Sequence, residues 1–358
     1  MHSPLLFYYV DCSMKRSIYC AYFLLLTLSA AAQKTTLQYS IAPWLNNKKA
    51  AASITLDDAI NCQFTIAAPL LKKYDIKATF FITAVIMKQQ AITWNMVRAA
   101  AANGNEIANH TITHPYLRRM SPDSMIYQVD ACNKLIRDSI PSQKSETMAY
   151  PFGDGGYETD SEALVRKTIT PYCIGARATR NNKLAYNTYN FAAGNNDAYY
   201  KVNCDVIADT ATMAGLPAQL DATITAGGWY VPLYHGIETG WLITPASVFE
   251  KHLQEFAKRK NDLWITTFAE ALKYHKERNC ATLHYSGENK SLLALALIDT
   301  LKNTSVWNEP LTINMKKPGG WKVKSISQGT TQIPFSDEGD TIVFNALPGM
   351  EDIVIRKN

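Results

Sequence analysis

The chain has 358 residues, of which 47% are hydrophobic and 19% are charged. This composition is typical of folded globular proteins and excludes a predominantly disordered chain. The formal net charge of +5 is small for this length, and no run of Lys and Arg suggests a nucleic-acid surface, so nucleic acid is not a predicted partner. The length suits one large domain and a small one.

The first predicted element is a secretory signal peptide over residues 1–32. Lys15 and Arg16 precede a short apolar run and then small residues, which predicts cleavage before Gln33. Met14 is an alternative start of the protein, since the residues before it do not belong to this pattern. The other interpretation is an uncleaved membrane anchor, but a span needs about 20 apolar residues and the run is shorter. The sequence therefore predicts a secreted or periplasmic protein with no stable membrane insertion after cleavage.

Cysteine usage argues against a thiolate metal site. Five cysteines follow the signal peptide, scattered and without a C-x-x-C pair, which disfavours thiolate zinc: Cys62, Cys132, Cys173, Cys204 and Cys280. One disulfide is compatible with an oxidising compartment, and buried small apolar residues are the alternative.

Strand and helix patterns alternate between residues 50 and 279. Apolar and β-branched runs predict strands at 50–59, 77–84, 105–110, 146–153, 171–178, 190–195 and 229–237. Helical spacing predicts helices at 64–75, 93–104, 121–140 and 244–260, and a last strand and helix over 262–279. This alternation predicts an α/β fold with parallel strands and outer helices, closing as a (β/α) barrel.

Two predicted helices carry start signals. Ser121 as N-cap and Pro122 at the first helical position begin one of them, and Thr244 and Pro245 are expected to play the same parts in the other.

The sequence pattern changes near residue 280. Short alternating runs broken by Gly, Pro and Asp predict a small all-β, sandwich-like domain over residues 280–358, after a barrel domain over residues 33–279. Trp321 in "GGWK" fits either a core position or a platform on which a sugar stacks.

Unusual polar residues fall where predicted strands end, which is where barrels of this class carry their chemistry. Asp57 and Asp58 end the first strand, His110 and His114 follow the third, and His235 ends a later one. On a helix or a tight turn, His110 and His114 would share one side. Asp58 completes a set of two histidines and one carboxylate, which suits a catalytic zinc ion with an open fourth position.

The remaining two residues of this group fit acid–base roles. Asp57 would accept a proton from a metal-activated water, and His235 would protonate a leaving group. The alternatives are an Asx turn or helix cap for the two aspartates, and an ordinary hydrogen-bonded histidine for His235.

Four motifs carry a family resemblance, in this order along the chain: "TLDD" (55–58), "HTITH" (110–114), "AYPFG" (149–153) and "LYH" (233–235). Over roughly residues 50–278 the chain resembles the polysaccharide deacetylases, the NodB-like members of carbohydrate esterase family 4. The resemblance implies a distorted (β/α) barrel of about seven strands. It also implies metal-dependent removal of acetyl groups from an acetylated glycan.

Carried over residue by residue, the resemblance makes Asp57 the base and His235 the acid. Asp58, His110 and His114 become ligands of a divalent metal ion, expected to be Zn²⁺, with Co²⁺ or Ni²⁺ as alternatives.

The resemblance also implies substrate-binding residues. Leu233 would line the acetyl pocket, and the backbone at Tyr150 and Pro151 would help to hold the oxyanion.

Two departures from the family pattern bear on the site. Ala149 stands where many members have an arginine that orients the catalytic aspartate, and Arg177 on the next strand would reach the same carboxylate or form an ordinary surface salt bridge. An acidic motif that tunes the acid histidine is not visible; Asp197 and Asp205 lie in its region, so the partner of His235 stays open.

The predicted function is a secreted metal-dependent carbohydrate deacetylase that acts on N-acetyl groups of chitin-like, peptidoglycan or exopolysaccharide glycans. The alternatives are a xylan-type O-acetyl esterase, a catalytically weak carbohydrate-binding protein on the same scaffold, and a hydrolase of small amides. The signal peptide argues against the last.

Overall fold

The computed structural model describes residues 37–143, 147–179, 186–187, 196–301 and 305–358. The predicted signal peptide and the strand predicted at 190–195 lie outside these ranges. Among the helices inside them, none combines the length and the hydrophobicity that crossing a membrane requires.

Strands and helices alternate through the described part of the chain up to residue 280. The strands are β1 (Tyr39–Ile41), β2 (Ala50–Ala52), β3 (Ile54–Asp58), β4 (Ala78–Ile82), β5 (Glu106–Asn109), β6 (Thr147–Ala149), β7 (Gly175–Arg177), β8 (Tyr186–Asn187), β9 (Asp205–Val206), β10 (Trp229–Tyr230), β11 (Pro232–Tyr234) and β12 (Leu263–Ile265). The helices are α1 (Ala68–Lys73), α2 (Ala84–Gln89), α3 (Trp94–Ala102), α4 (Pro122–Ser139), α5 (Asp160–Ile169), α6 (Thr210–Ala226), α7 (Ala246–Lys258) and α8 (Phe268–Cys280).

Seven of these strands form one sheet in the order β7-β6-β5-β4-β3-β11-β9, and every neighbouring pair in it is parallel. Val202 bridges Arg177 at one edge of the sheet and lies three residues before β9, the other edge. The sheet thus curls into a ring. At the amino-terminal ends of β3 and β11, the strands β2, β10 and β12 belong to a second sheet, with the order β12-β2-β10-β8. This architecture confirms the predicted distorted (β/α) barrel of about seven strands.

Burial on both faces explains the apolar strand sequences. Phe81 of β4 belongs to the cluster that contains Ala51 and Leu233, whereas its neighbour Phe80 packs in a second cluster with Leu71 of α1. Successive side chains on a strand point to opposite faces. One face of β4 therefore fills the interior of the ring and the other packs under the helices, as in parallel sheets covered by helices.

One of the two predicted helix starts is confirmed. Ser121 caps α4, where its hydroxyl accepts the N–H of Ser124. The other was wrong, because α7 begins at Ala246 with Pro245 as its N-cap residue. The hydroxyl of Thr244 donates instead to the carbonyl of Ile207 at 3.0 Å and ties the preceding loop to the barrel.

The C-terminal region is all-β, as predicted. Its strands are β13 (Thr282–Glu288), β14 (Leu292–Ile298), β15 (Leu311–Lys316), β16 (Val323–Gln328), β17 (Thr331–Ile333), β18 (Phe335–Glu338), β19 (Thr341–Ala346) and β20 (Ile353–Lys357). They form two sheets, β13-β14-β20-β16-β17 and β1-β15-β19-β18. The first strand of the described chain, β1, thus pairs with the C-terminal strand β15. The domain boundary between residues 279 and 280 stays a prediction.

A buried carboxyl group connects the last barrel helix to this region. Glu277 of α8 is fully buried, and its two oxygens accept the backbone N–H of Glu309 at 3.1 and 3.2 Å. Burial raises the pKa of Glu277 to about 8, and the charges of Glu309 and Asp299 act in the same direction while Lys273 opposes them.

We expect Glu277 to make the protein less stable as the pH rises from about 4.5 to about 8. In this window the folded protein keeps a proton that the unfolded chain releases, so the free energy of unfolding falls with pH. The Glu277→Gln variant stays neutral, so its melting temperature should fall by about 5 °C less than that of the wild type across this window. Thermal unfolding at several pH values measures this, with Glu288→Gln as an exposed control; parallel curves for wild type and Glu277→Gln would contradict it.

Candidate active site

The predicted site residues meet at one edge of the barrel, where the parallel strands end. Asp57 and Asp58 are the last residues of β3, and His235 follows β11 directly. The register of these two strands pairs Leu233 with Thr55, so its continuation brings His235 level with Asp57. The side chain of Gln63 fixes the two strand ends, because its Nε2 donates to the backbone oxygens of Asp57 and His235 at 2.6 and 3.0 Å.

A backbone turn brings both aspartates to the same place. Neighbouring residues on a strand would point to opposite faces, but the chain turns at Asp58 and Ala59, whose φ values are +80° and +62°. As a result, Nε2 of His110 lies 3.6 Å from Oδ2 of Asp57 and 3.4 Å from Oδ1 of Asp58. Such positive φ values are unfavourable outside glycine and cluster at functional sites.

Asp58, His110 and His114 form a set of three potential metal ligands. Their ligand atoms all lie within 4.8 Å of one another, and Oδ1 of Asp58 is 3.4 and 3.3 Å from the two Nε2 atoms. With metal–ligand distances near 2.0–2.1 Å, two ligands of a tetrahedral zinc ion are about 3.3 Å apart. The spacing of these groups therefore fits a zinc ion, and their chemistry fits as well.

Hydrogen bonding and burial prepare both histidines for this role. Nδ1 of His110 lies 2.8 Å from the carbonyl oxygen of Ala149 and donates to it, which turns Nε2 towards the two aspartates. Burial alone would lower the pKa of His110, but the carboxylates of Asp57 and Asp58 raise it. Burial, with the charge of His110 beside it, lowers the pKa of His114 to about 4, so this ring is neutral at pH 7.

The carboxylate of the set is ionised. Burial alone would raise the pKa of Asp58, but hydrogen bonding and charge from His110, with the charges of His235 and His114, bring it well below its usual value. Metal binding needs an ionised carboxylate and neutral imidazoles, so a metal ion bound at Nε2 of His110 would displace the proton that the aspartates favour there.

The segment that carries the two histidines is a turn and not a helix, with positive φ at Thr111 and His114. Asn109 accepts the N–H of Thr111 at 2.7 Å. The Gln128 side chain accepts the N–H groups of Ile112 and Thr113 at 3.1 and 3.0 Å. Of the two geometries that the four-residue spacing allows, the chain adopts the tight turn.

Arg177 lies beside Asp57. Its Nη2 contacts Oδ2 of Asp57, its Nη1 donates to Sγ of Cys204 at 3.2 Å, and its guanidinium lies 5.3 Å from the ring centre of Phe81. The side chain is only 1% exposed, so the ion pair is not a surface salt bridge. The other oxygen of Asp57, Oδ1, is buried and has no hydrogen-bond partner among the described residues.

The backbone N–H of Tyr150 already donates a hydrogen bond within the protein, whereas an oxyanion donor must be free to bind a ligand. The N–H of Tyr150 donates to the carbonyl of Arg177 at 3.1 Å, and Pro151 has no N–H. The next amide belongs to Phe152, whose φ is +58° and which forms no backbone hydrogen bond within the described ranges. In this segment, Phe152 is therefore the residue whose N–H remains available to a ligand.

An aromatic pair borders the candidate metal ligands. The half-exposed ring of Phe152 meets the His114 ring edge-on at 4.5 Å and stacks on Tyr116 at 3.8 Å. The sequence prediction missed both aromatics, although Phe152 lies inside the "AYPFG" motif.

His235 lies next to the carboxylates without a fixed partner. Its Nε2 is 3.9 Å from Oδ2 of Asp58, and its Nδ1 is buried without a hydrogen bond among the described residues. Burial lowers the pKa of His235, which the charges of Asp57 and Asp58 partly oppose. The two acids that the sequence suggested as partners are engaged elsewhere: Asp197 contacts Arg166 and Lys201, and Asp205 accepts the hydroxyl of Tyr230 at 2.9 Å.

Leu233 and the cysteines are largely buried. Leu233 lies inside the barrel, two residues before His235 and level with Thr55 of β3. The five cysteines within the described residues are all free thiols and four of them are buried, in agreement with the interpretation as buried small residues.

The polysaccharide deacetylase family profile matches residues 45–170. A chitooligosaccharide deacetylase of Bradyrhizobium sp. (strain ANU 289) is 32% identical over 101 residues, which cover 28% of this chain and 45% of that protein. A gellan lyase of Bacillus sp. is 20% identical over 312 residues, 82% of this chain and 12% of that protein. The chain thus spans less than half the length of either relative.

A solved structure of the family 4 carbohydrate esterase from Streptomyces lividans in complex with acetate is also similar. It is 16% identical, with a TM-score of 0.40, and the match covers 61% of this chain and 92% of that one. The family profile spans the strand ends that carry Asp57, Asp58, His110 and His114. Residues 45–170 of this chain are thus similar to the polysaccharide deacetylase family.

Proposed function

We propose that this protein is a secreted, metal-dependent carbohydrate deacetylase that hydrolyses N-acetyl groups of amino-sugar glycans. The observation that carries the proposal is the convergence of Asp58, His110 and His114 beside a second buried carboxylate, Asp57, and a buried histidine, His235. The named activity of the chitooligosaccharide deacetylase relative supports the choice of an N-acetyl substrate.

Asp58, His110 and His114 would hold the metal ion. A bound zinc ion supplies a Lewis acid that polarises the acetyl carbonyl and makes a water molecule more acidic.

Asp57 would accept the proton of the attacking water. Its Oδ1 atom has no hydrogen-bond partner among the described residues, and Arg177 holds its Oδ2 atom. One oxygen is thus positioned by the protein while the other is left for the proton. The N–H of Phe152, which follows Tyr150 and Pro151, would donate to the developing oxyanion, because it forms no backbone hydrogen bond among the described residues.

His235 would return a proton to the leaving amine. Its lowered pKa makes the protonated ring a stronger acid, which favours proton transfer to the nitrogen. Leu233, buried beneath it, would border the acetyl methyl group, a small apolar group that gains little from polar surroundings.

Acetate release from a panel of glycans tests the proposal. The panel contains chitooligosaccharides, peptidoglycan, poly-N-acetylglucosamine and acetylxylan, each with added zinc or cobalt and with a chelator. We expect release from an N-acetylated member, lost in the chelator and in Asp57→Asn, which keeps the shape of the side chain but cannot act as a base. Release from acetylxylan alone would assign an O-acetyl esterase instead.

Two further outcomes would overturn the proposal. Glycan binding without acetate release from any member would assign a carbohydrate-binding role to the scaffold. Because one relative is named a gellan lyase, gellan is included, and formation of an unsaturated, ultraviolet-absorbing product would assign lyase chemistry.

A further inference from the structure

Trp241 donates a hydrogen bond to one of the candidate metal ligands. Its indole Nε1 lies 2.7 Å from Oδ2 of Asp58. The other oxygen, Oδ1, faces the Nε2 atoms of His110 and His114 at 3.4 and 3.3 Å. The two oxygens of one carboxylate thus have different partners, one of them a neutral donor and the other the histidine pair.

This division limits how Asp58 can bind a cation. A carboxylate binds a metal ion through one oxygen or through both, and the two-oxygen mode takes up an additional position around the ion. A catalytic zinc site needs three protein ligands and one open position. A donor that occupies Oδ2 favours ligation through Oδ1 alone, and partners of this kind orient the ligands and tune the metal.

The loop that carries Trp241, residues 236–244, is held in a defined conformation. The N–H of Gly236 donates to the carbonyl of Trp241, and the N–H of Thr244 donates back to Gly236, both at 2.9 Å. A Cβ atom on Gly236 would lie 2.3 Å from the carbonyl oxygen of Thr239, so only glycine fits there. These hydrogen bonds therefore bring Trp241 back to the end of β11, where the loop begins.

The buried thiol of Cys62 also holds this loop in place. Sγ of Cys62 accepts the N–H of Ile237 at 3.1 Å and donates to the carbonyl of Thr239 at 3.2 Å. Cys62 lies four residues after Asp58, so one short segment anchors both the metal ligand and the loop that supports it.

We infer that Trp241 is a positioning residue of the metal centre, which keeps Asp58 bound through a single oxygen and so preserves the open position for the acetyl group and water. This role rests on the proposed function, because it presupposes a metal ion at Asp58, His110 and His114. Trp241 acts through Asp58 and needs no contact with the ion or with the substrate.

Cobalt titration of Trp241→Phe tests the inference, because phenylalanine keeps an aromatic ring but lacks the N–H group. We expect the affinity for Co²⁺, measured by competition with a chelator, to fall about 10–100-fold, as it does when an outer partner of a ligand is lost. The visible absorption of bound Co²⁺ should also weaken, since added coordination by Oδ2 moves the ion away from tetrahedral geometry. Where acetate release is measured, kcat should fall while KM stays within about twofold.

A matched control and a closer isostere separate this effect from a general disturbance. Trp321→Phe makes the same change at a half-buried tryptophan in the C-terminal region, where Lys357 covers the ring, and should leave affinity and spectrum unchanged. Incorporation of 3-benzothienylalanine at position 241 replaces the N–H by sulfur in a ring of nearly the same size. It should reproduce the loss even if phenylalanine perturbs the loop.

The outcomes distinguish this inference from the proposed function. Wild-type affinity and spectrum in the benzothienylalanine protein would overturn the role of Trp241 alone. Cobalt binding that is absent in the wild type, or that His114→Ala does not weaken, would overturn the metal centre and with it the proposed function.

Discussion

Replacing Arg177 with alanine is expected to lower kcat for acetate release by about 100-fold or more and to destabilise the fold by about 3–5 kcal/mol. The guanidinium is buried against Oδ2 of Asp57 and against Cys204. Removal of the cation leaves a buried carboxylate without its counter-charge, at the position proposed for the base. Turnover with a saturating acetylated oligosaccharide and denaturant unfolding measure the two effects.

Two further variants separate a role in catalysis from a role in folding alone. Lysine keeps the charge but not the two-pronged contact, so Arg177→Lys should lose less kcat and less stability than Arg177→Ala.

Arg166→Ala provides the matched control. Arg166 is also buried and pairs with Asp197 and Glu158, away from Asp57. This variant should lose stability without losing kcat. Near-normal turnover in Arg177→Ala would rule out a function for Arg177 in orienting Asp57.

His110→Ala is expected to abolish stoichiometric metal binding and to lower acetate release by more than the roughly 100-fold that loss of an outer partner costs. The variant removes one of the three candidate ligands and also the ring that contacts Asp57 and Asp58. Elemental analysis gives the metal content per chain. Zinc at 100 times its Kd should stabilise the wild type by about 2.7 kcal/mol and leave the variant unaffected.

His284→Ala controls for non-specific binding by histidine. His284 is exposed on β13, where it contacts Thr282, far along the chain from the site. The His284→Ala variant should bind metal and gain stability from zinc as the wild type does. Equal zinc stabilisation of wild type and His110→Ala would place the metal elsewhere or remove it from the proposal.

The barrel could be predicted because its strands are buried on both faces and so appear as short apolar runs between turn residues. Helix α6 was not predicted, because Gly215 and Pro217 lie inside it and both residues normally interrupt a helix. The N-cap prediction for α7 was wrong for another reason. The Thr244 hydroxyl donates to the carbonyl of Ile207, which lies on a distant segment that no local sequence pattern reveals.

The convergence of Asp57, Asp58, His110 and His114 in the candidate site was predictable, because chemistry and spacing coincide in short motifs. The partners that orient these groups were harder to find, because each contact joins distant parts of the chain. Trp241 is 183 residues from Asp58, and its loop has no pattern that marks it. The engaged N–H of Tyr150 depends on how β6 and β7 meet, which follows from strand register and not from the residues themselves.

The pairing of β1 with β15 affects how such a barrel can pass between proteins. Ala42, just after β1, donates its N–H to Thr312, and its carbonyl accepts the Tyr274 hydroxyl and Arg278 Nε of α8. Removal of the C-terminal sheets would leave β1 without a neighbour and the N–H of Ala42 without its acceptor, Thr312. Recombination that preserves these contacts must therefore transfer β1, the barrel and the C-terminal sheets together.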